Sequence, residues 1–392
     1  MANIKLDVIE DASRKIRLLL SLANIILSYK LHSLTTFINS TLACCVLAYS
    51  IYHFRNSPED LAGAAYNLGA CASVPVACVS GYLAPVTLRT IVDGSCCSFD
   101  YRSSIMRKKL DEVENKRAET LKGFFKTIEY LIYYSTINLL GLTALLGIIQ
   151  REVVYLFPCW TPFDQNNFFW QITMLLWQVY LIISMTFMAF GGGVLFYISY
   201  SHIAAEVKLL KYALKTVEER AHEMAKSLKR SQGEPYARIL SFCYKECVRM
   251  CAQHHSEIIG YFNNGKDITG IYYSSGFLCG GVACTFSAYF IISDNFALKV
   301  RYLGMTLLLL GYLFVLFDIA EETTNELQTV AETAYAIEWY KLPKECHSTL
   351  KFMLLRSCEP MFYKLLLGQR VGKEAYMALV KATYYYLNMM TA

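Results

Sequence analysis

Residues 268–292 read ITGIYYSSGFLCGGVACTFSAYFII. None of these side chains carries a formal charge, and as a helix rising about 1.5 Å per residue the stretch would extend roughly 37 Å. A bilayer's hydrocarbon core is about 30 Å thick, so the stretch predicts a transmembrane helix. Working outward from it, similar gaps in charge predict spans at about 34–52, 62–87, 128–149, 169–197, 303–317 and 375–392, seven in all. The last is interrupted by Lys381 and three tyrosines.

The whole composition agrees. Of 392 residues, 55% are hydrophobic and only 18% charged, with mean hydropathy +0.32; soluble chains carry about a quarter charged residues. The 29 Tyr and 22 Phe suit membrane interfaces and apolar pockets. The net charge of +5 comes from basic loops and does not point to nucleic acid. Of the fourteen cysteines, most fall in apolar runs (Cys44, Cys45, Cys71, Cys78, Cys279, Cys284) or a basic loop (Cys96, Cys97). Only Cys159 falls in a loop expected outside, so no disulfide framework is expected. No cleavable signal peptide is evident in residues 1–30.

Charge also sets the expected orientation. One set of loops holds only Arg55, Arg151, Lys299 and Arg301. The other set holds Lys5 to Lys30, Arg89 to Lys122, eleven Lys and Arg from Lys208 to Lys266, and Lys341 to Lys373. The positive-inside rule places the N-terminus in the cytoplasm and, after seven spans, the C-terminus outside. G-protein-coupled receptors have the opposite orientation, and their DRY and NPxxY patterns and outside disulfide pair are missing here.

Helices are expected to continue into the cytoplasm over about 200–261 and 321–367. Ile203, Val207, Leu210, Ala213 and Val217 recur at helical spacing, as do Leu327, Val330 and Ala334. Ser231-Gln232-Gly233-Glu234-Pro235 reads as a break in the first. Without repeats or low-complexity linkers, the chain reads as a single domain over 1–392: an all-α membrane protein with an intracellular helical anchor bundle.

Several constellations carry chemistry. In the last span Lys381, Tyr384 or Tyr385, Asn388 and Thr391 recur every three to four residues. Polar residues in a span face protein or a watery path. The stripe reads as a pore lining shared among several copies, with Leu387 a hydrophobic constriction, or else as an internal packing face. A second set lies in the halves of the spans expected outside: Tyr66, Ala70 and Val74; Ser135, Asn138, Leu139 and Leu142; Met174, Trp177, Gln178 and Leu181; Phe286 and Tyr289. Apolar walls with a few polar groups suit a small volatile ligand, although each residue could equally serve ordinary helix packing. Cys243, Cys247 and Cys251 share a helix face before His254 and His255, a spacing that favours packing over zinc. Gly191-Gly192-Gly193 permits close helix approach. Asp318, Glu321 and Glu322 sit where the sixth span should end, as a solvated helix entry or acids beside a cation path. No GxSxG, Walker A or HExxH pattern is present, so no enzyme activity and no cofactor are expected.

Four local patterns bear a family resemblance. Leu156-Phe157-Pro158-Cys159-Trp160-Thr161-Pro162-Phe163 resembles the aromatic and proline loop before the fourth span of insect odorant receptors. His254-His255-Ser256-Glu257-Ile258-Ile259 resembles their histidine-containing helix, and Ala334-Tyr335-Ala336-Ile337-Glu338-Trp339-Tyr340-Lys341-Leu342-Pro343 their cytoplasmic signature. Thr383-Tyr384 is similar to a C-terminal pair of the superfamily. The resemblance covers nearly the whole chain.

The resemblance implies an odorant-gated, non-selective cation channel. It implies a tetramer around a pore lined by the last helix, in the plasma membrane of a sensory neuron dendrite, needing no G protein. A short loop between the fourth and fifth spans favours the odorant-specific tuning subunit, partnered by a shared co-receptor subunit. The same resemblance assigns Leu387 and Thr391 to the gate beside Asn388, and Trp339 and Tyr340 to the subunit anchor. Thr391 departs from the apolar residue expected in the co-receptor. A gustatory receptor, forming a homomeric channel, would share Thr-Tyr but usually follow it with Gln-Phe; Met389-Met390 stands in the corresponding region here. A transporter would be expected to show internal repeats or broken charged helices.

Overall fold

A computed structural model describes residues 30–83, 98–141, 143–144, 147–148, 155–161, 163, 167–229, 235–292 and 296–391. These are almost wholly helical and contain no strand: α1 (Lys30–His53), α2 (Pro58–Leu83), α3 (Ser104–Thr136), α4 (Phe168–Lys215), α5 (Val217–Lys229), α6 (Tyr236–Ile292), α7 (Phe296–Ala336), α8 (Lys344–Ser357) and α9 (Lys373–Thr391). A π turn, Ile137–Gly141, extends α3, and a 3-10 turn, Trp339–Lys341, follows α7. The basic N-terminal segment, Cys96, Cys97, Leu142 and the Ser231–Glu234 break lie outside the described residues, as do the ends of the second and third expected spans.

Among the described residues, three helices are long and apolar enough to cross a membrane by length and composition, over Leu34–His53, Tyr236–Ile292 and Leu298–Ala336; Phe168–Ser184 is a shorter apolar stretch. The 57 residues of α6 would run about 85 Å. That is far beyond the hydrocarbon thickness, so α6 joins an apolar span and an amphipathic extension in one rod. The 48 residues of α4 do the same. α1 packs on α2, α2 on α6, and α7 on α4 and α6.

The extensions form a packed bundle. Ile203, Val207, Leu210, Ala213 and Val217 of α4 and α5 are buried with Leu327, Val330 and Ala334 of α7. Cys243, Cys247 and Cys251 are fully buried in the same core. Among the described residues no group of three or more His, Cys, Asp or Glu is arranged to hold a metal. The start of α3 is held by α5: Glu223 accepts from the Ser104 backbone N–H at 3.0 Å and from the Ser103 hydroxyl at 2.5 Å. Burial raises the Glu223 carboxyl, but these hydrogen bonds outweigh it and hold it below its ordinary value.

A buried polar network crosses this core. The Tyr101 hydroxyl lies 2.7 Å from His254 Nδ1, and His254 Nε2 lies 2.8 Å from Glu206 Oε2. The consistent arrangement has Tyr101 donating to Nδ1 while the Nε2 proton faces the carboxylate. Phe99 stacks on His254 at 4.7 Å. Arg220, 2% exposed, donates to the Ala213 carbonyl at 2.7 Å and the Cys251 thiol at 3.1 Å, with its guanidinium 4.8 Å from the Tyr101 ring centre.

The helices expected over 321–367 are shorter in the structure. α7 ends at Ala336 and α8 at Ser357. The chain then turns back in a tight loop, with Val371 N–H donating to the Tyr363 carbonyl (2.9 Å) and Leu365 N–H to that of Gln369 (2.8 Å). Pro343 and Pro360 lack the N–H that a continuous helix needs. Gly368 takes φ +84° at the turn, a region open to glycine. Gly270 lets the loop lie against α6; a Cβ there would stand 2.7 Å from the Lys364 carbonyl oxygen.

Burial holds His202 and His255, both in the bundle beyond the apolar spans, neutral down to about 4, with Arg117 near the first and His254 and Arg356 near the second adding to the effect. Their unfolded value is 6.5, so between about 6.5 and 4 the unfolded chain binds more protons and stability falls as pH falls. Burial pushes the Glu206 carboxyl up, but contact with His254 holds it below its ordinary 4.5. Its contribution is therefore present above 4.5 and is lost as pH falls further. The melting temperature of the solubilised protein should drop steadily from pH 7 towards 4, and His255→Gln should flatten the drop. A melt independent of pH across this window would contradict the account.

Candidate ligand cavity and pore helix

A cavity of about 230 Å³ opens between α2, α4, α6, α7, the π turn and the loop before α4. Its α7 wall is one helix face: Arg301, Met305, Leu308, Tyr312 and Leu316 follow at steps of three or four. α6 contributes Tyr272, Gly276, Cys279 and Gly280, and α2 contributes Tyr66, Ala70, Cys71 and Val74. Leu139, Leu156, Phe157, Ile182 and Thr186 complete much of the lining. At one end Tyr66 meets Tyr302 edge-on at 5.0 Å, and Tyr302 stacks on Phe290 at 3.8 Å. Towards the other end the hydroxyls of Tyr272 and Tyr312 are 2.9 Å apart. Gly192 and Gly193 of α4 make room for these two rings; a Cβ on either would collide with them.

The loop Tyr155–Thr161 closes the Tyr302 end: a Cβ on Gly63 would meet both Pro158 and the Tyr302 hydroxyl. This irregular backbone is tied down by two buried side chains. Gln178 accepts from Leu156 N–H at 2.8 Å and donates to the Phe157 carbonyl at 3.0 Å and the Cys159 sulfur at 3.1 Å. Ser50 accepts from Trp160 N–H at 2.7 Å.

The residues expected from sequence to hold a ligand divide into groups. Tyr66, Val74 and Leu139 line the cavity. Phe286 and Tyr289 pack behind Tyr66 and Tyr302 rather than in the wall. Met174, Trp177 and Leu181 pack with Leu156, Phe157 and Cys159, and Gln178 is the loop clamp. Ser135 bonds back to the Ile132 carbonyl at 2.9 Å. Asn138 packs against Gly304, where a Cβ would meet its amide. The α7 wall was missed from sequence, although its period of three to four was present. Arg301, assigned from sequence to an outside loop, instead lies inside α7, is 6% exposed and faces the cavity.

The last helix, α9, buries Ala375 and Leu379 against α6 and α7. Lys381, Tyr384, Tyr385 and Asn388 stay exposed in the single chain, and Leu387 is half-buried; the Thr391 side chain lies outside the description. Trp339 and Tyr340 project from the 3-10 turn, 41% and 64% exposed.

α7 joins the cavity to α9. Phe314 and Phe317 contact the Tyr376 ring, with centroids at 5.4 and 6.4 Å. One turn on, Asp318 pairs with Lys373 Nζ at 2.7 Å, and Glu321 accepts from the Lys373 backbone N–H at 2.6 Å. A carboxylate at a helix N-terminus satisfies a donor that the helix cannot. Glu322 pairs with Lys208 at 3.2 Å. These three acids are therefore engaged in joining helices.

Fold and cavity define a helical membrane receptor. The 7tm Odorant receptor family model matches residues 96–384, and the chain belongs to that family. No curated protein matches the chain. The fold is similar to that of the insect olfactory receptor OR5 from Machilis hrabei in complex with eugenol. That likeness has a TM-score of 0.75 at 12% identity and covers 92% of this chain and 89% of that one. A second structure of that receptor gives 0.72 at 14% identity, covering 92% of this chain and 88% of that one.

Gly276 borders the cavity with its nearest neighbour, Leu313, 3.6 Å from a built Cβ. Gly276→Leu should fill the space, lowering the affinity of a small apolar fluorophore about tenfold, or 1.4 kcal/mol. The melting temperature should move by no more than about 4 °C. Unchanged fluorophore affinity would show that the cavity is not the binding site. Tyr312→Phe removes the hydroxyl pair and should lower stability by about 1 kcal/mol, read from the melt.

Proposed function

We propose that this chain is the odorant-binding tuning subunit of a heterotetrameric, odorant-gated, non-selective cation channel, assembled with a shared co-receptor. The observation that carries the reading is that α7 is both a wall of the apolar cavity and the attachment of α9. A ligand that shifts the Met305 to Phe317 face displaces the helix to which α9 is tied. The polar face of α9, with Lys381, Tyr384 and Asn388 exposed, is completed by other subunits around a common axis, with Leu387 and Thr391 at the gate. Trp339 and Tyr340 belong to the subunit anchor. The chain sits in the plasma membrane of a sensory dendrite with its N-terminus in the cytoplasm, and signals without a G protein. The ligand is a small volatile whose apolar body is removed from water at roughly 25 cal/mol per Å². Support for ligand binding comes from the eugenol complex of the structurally similar receptor.

Whole-cell current under a panel of volatiles tests this, with the chain expressed alone and then with an insect co-receptor. Odour-evoked cation current only on co-expression is expected. Current from the chain alone would replace this reading with a homomeric gustatory-type channel. Silence in both, with surface expression and no native tetramer, would overturn it.

Two variants probe the route to the gate. Glu321→Gln, which weakens the hold on α9, should change the ratio of unstimulated to odorant-saturated current at equal surface expression. An unaltered ratio would remove this contact from gating. Thr391→Leu should change basal leak or ion selectivity, and an identical current would count against a gate at that position.

A further inference from the structure

We propose that Arg301 makes the cavity a site for ligands that carry a carboxylate on an apolar tail. This rests on the ligand-binding reading of the cavity and names the ligand class it takes. Arg301 is 6% exposed and lines the cavity near the Tyr302 end. No Asp, Glu or Lys stands among the described residues of the lining, and among the described residues none forms an ion pair with Arg301. Its guanidinium lies 5.9 Å from the Tyr302 ring centre, and that ring supplies no countercharge.

A cation taken out of water without an anion is a costly arrangement. A ligand carboxylate would supply the missing charge and two acceptors in the planar geometry that a guanidinium matches. The rest of the cavity suits the other end of such a molecule. From Arg301 the α7 wall continues through Met305, Leu308 and Leu309 to Tyr312. The twelve residues from Arg301 to Tyr312 span roughly 16 Å along the helix axis. The site is thus elongated, charged at one end and apolar along its length. A neutral carbonyl ligand would accept a hydrogen bond from Arg301 but leave its charge unpaired, so it should rank below the carboxylate.

The test uses the purified full chain, with its co-receptor where assembly requires it, in nanodiscs at neutral pH. Octanoate, methyl octanoate, octan-1-ol and octane share a tail and differ at the head. Displacement of an apolar fluorophore gives their affinities. Octanoate should bind at least about tenfold tighter than octan-1-ol, equivalent to 1.4 kcal/mol. Arg301→Gln should abolish that preference and move octane by less than threefold; Arg301→Lys should keep part of it. Equal affinities in the unaltered chain, no binding of octanoate, a preference for methyl octanoate, or a preference that survives Arg301→Gln would each overturn the proposal. Should Arg301→Gln fail to fold, the ranking on the unaltered chain and on Arg301→Lys decides. Octanoate binding without any odour-evoked current would overturn the channel reading and leave the assignment of Arg301 standing. Alcohol-evoked current without carboxylate preference would do the reverse.

Discussion

Irregular backbone can cap an apolar helix bundle only if something takes up its hydrogen bonds. Here that task falls to Gln178 and Ser50, which between them satisfy the N–H groups of Leu156 and Trp160 and the carbonyl of Phe157. In hydrocarbon an unpaired peptide group has no water to turn to. A fully buried glutamine that meets both a donor and an acceptor of the loop therefore fixes where Leu156 and Phe157 stand over the cavity. The helices obey the same constraint. Hydroxyls within them return to the carbonyl a turn earlier, as Ser274 does to Gly270 at 2.6 Å and Thr306 to Tyr302 at 2.7 Å.

Beyond the apolar spans the same helices are held differently. The bundle built from the ends of α4, α6 and α7 has a dense core and a fully enclosed chain of polar groups from Arg220 through Tyr101 and His254 to Glu206. Such a chain is rigid when its members are matched and unforgiving when one is removed. One rod therefore lies against a hollow at one end and is locked in solid packing at the other. Movement is easier at the hollow end, where fewer atoms must repack.

Much of this was legible in the sequence. The uncharged run at 268–292 announces a span, and the spacing of Ile203, Val207 and Leu210 announces a buried helix face. Period and length are local properties. The cavity wall was less legible because membership depends on which neighbour each face meets. Trp177 and Val74 are both apolar residues expected in spans, yet one packs behind the loop and the other lines the hollow. Arg301 was misassigned for a related reason: a charge near the edge of an apolar run reads as loop, whereas the helix begins at Phe296 and carries it inward. Glu321 was legible as an acid near a helix end, but its partner, the N–H of Lys373, lies 52 residues away.

The cavity face of α7 and its attachment to α9 lie on one helix and meet in a single side chain, Phe317. Arg301, Met305 and Leu308 touch the hollow; Asp318 and Glu321 touch the final helix. A codon change in the first group alters what fits without disturbing how the last helix is held. The chain is therefore open to rapid drift in chemical preference under selection, while its mechanical linkage stays under constraint. A lineage built on this plan can diversify its repertoire through single replacements along one stripe.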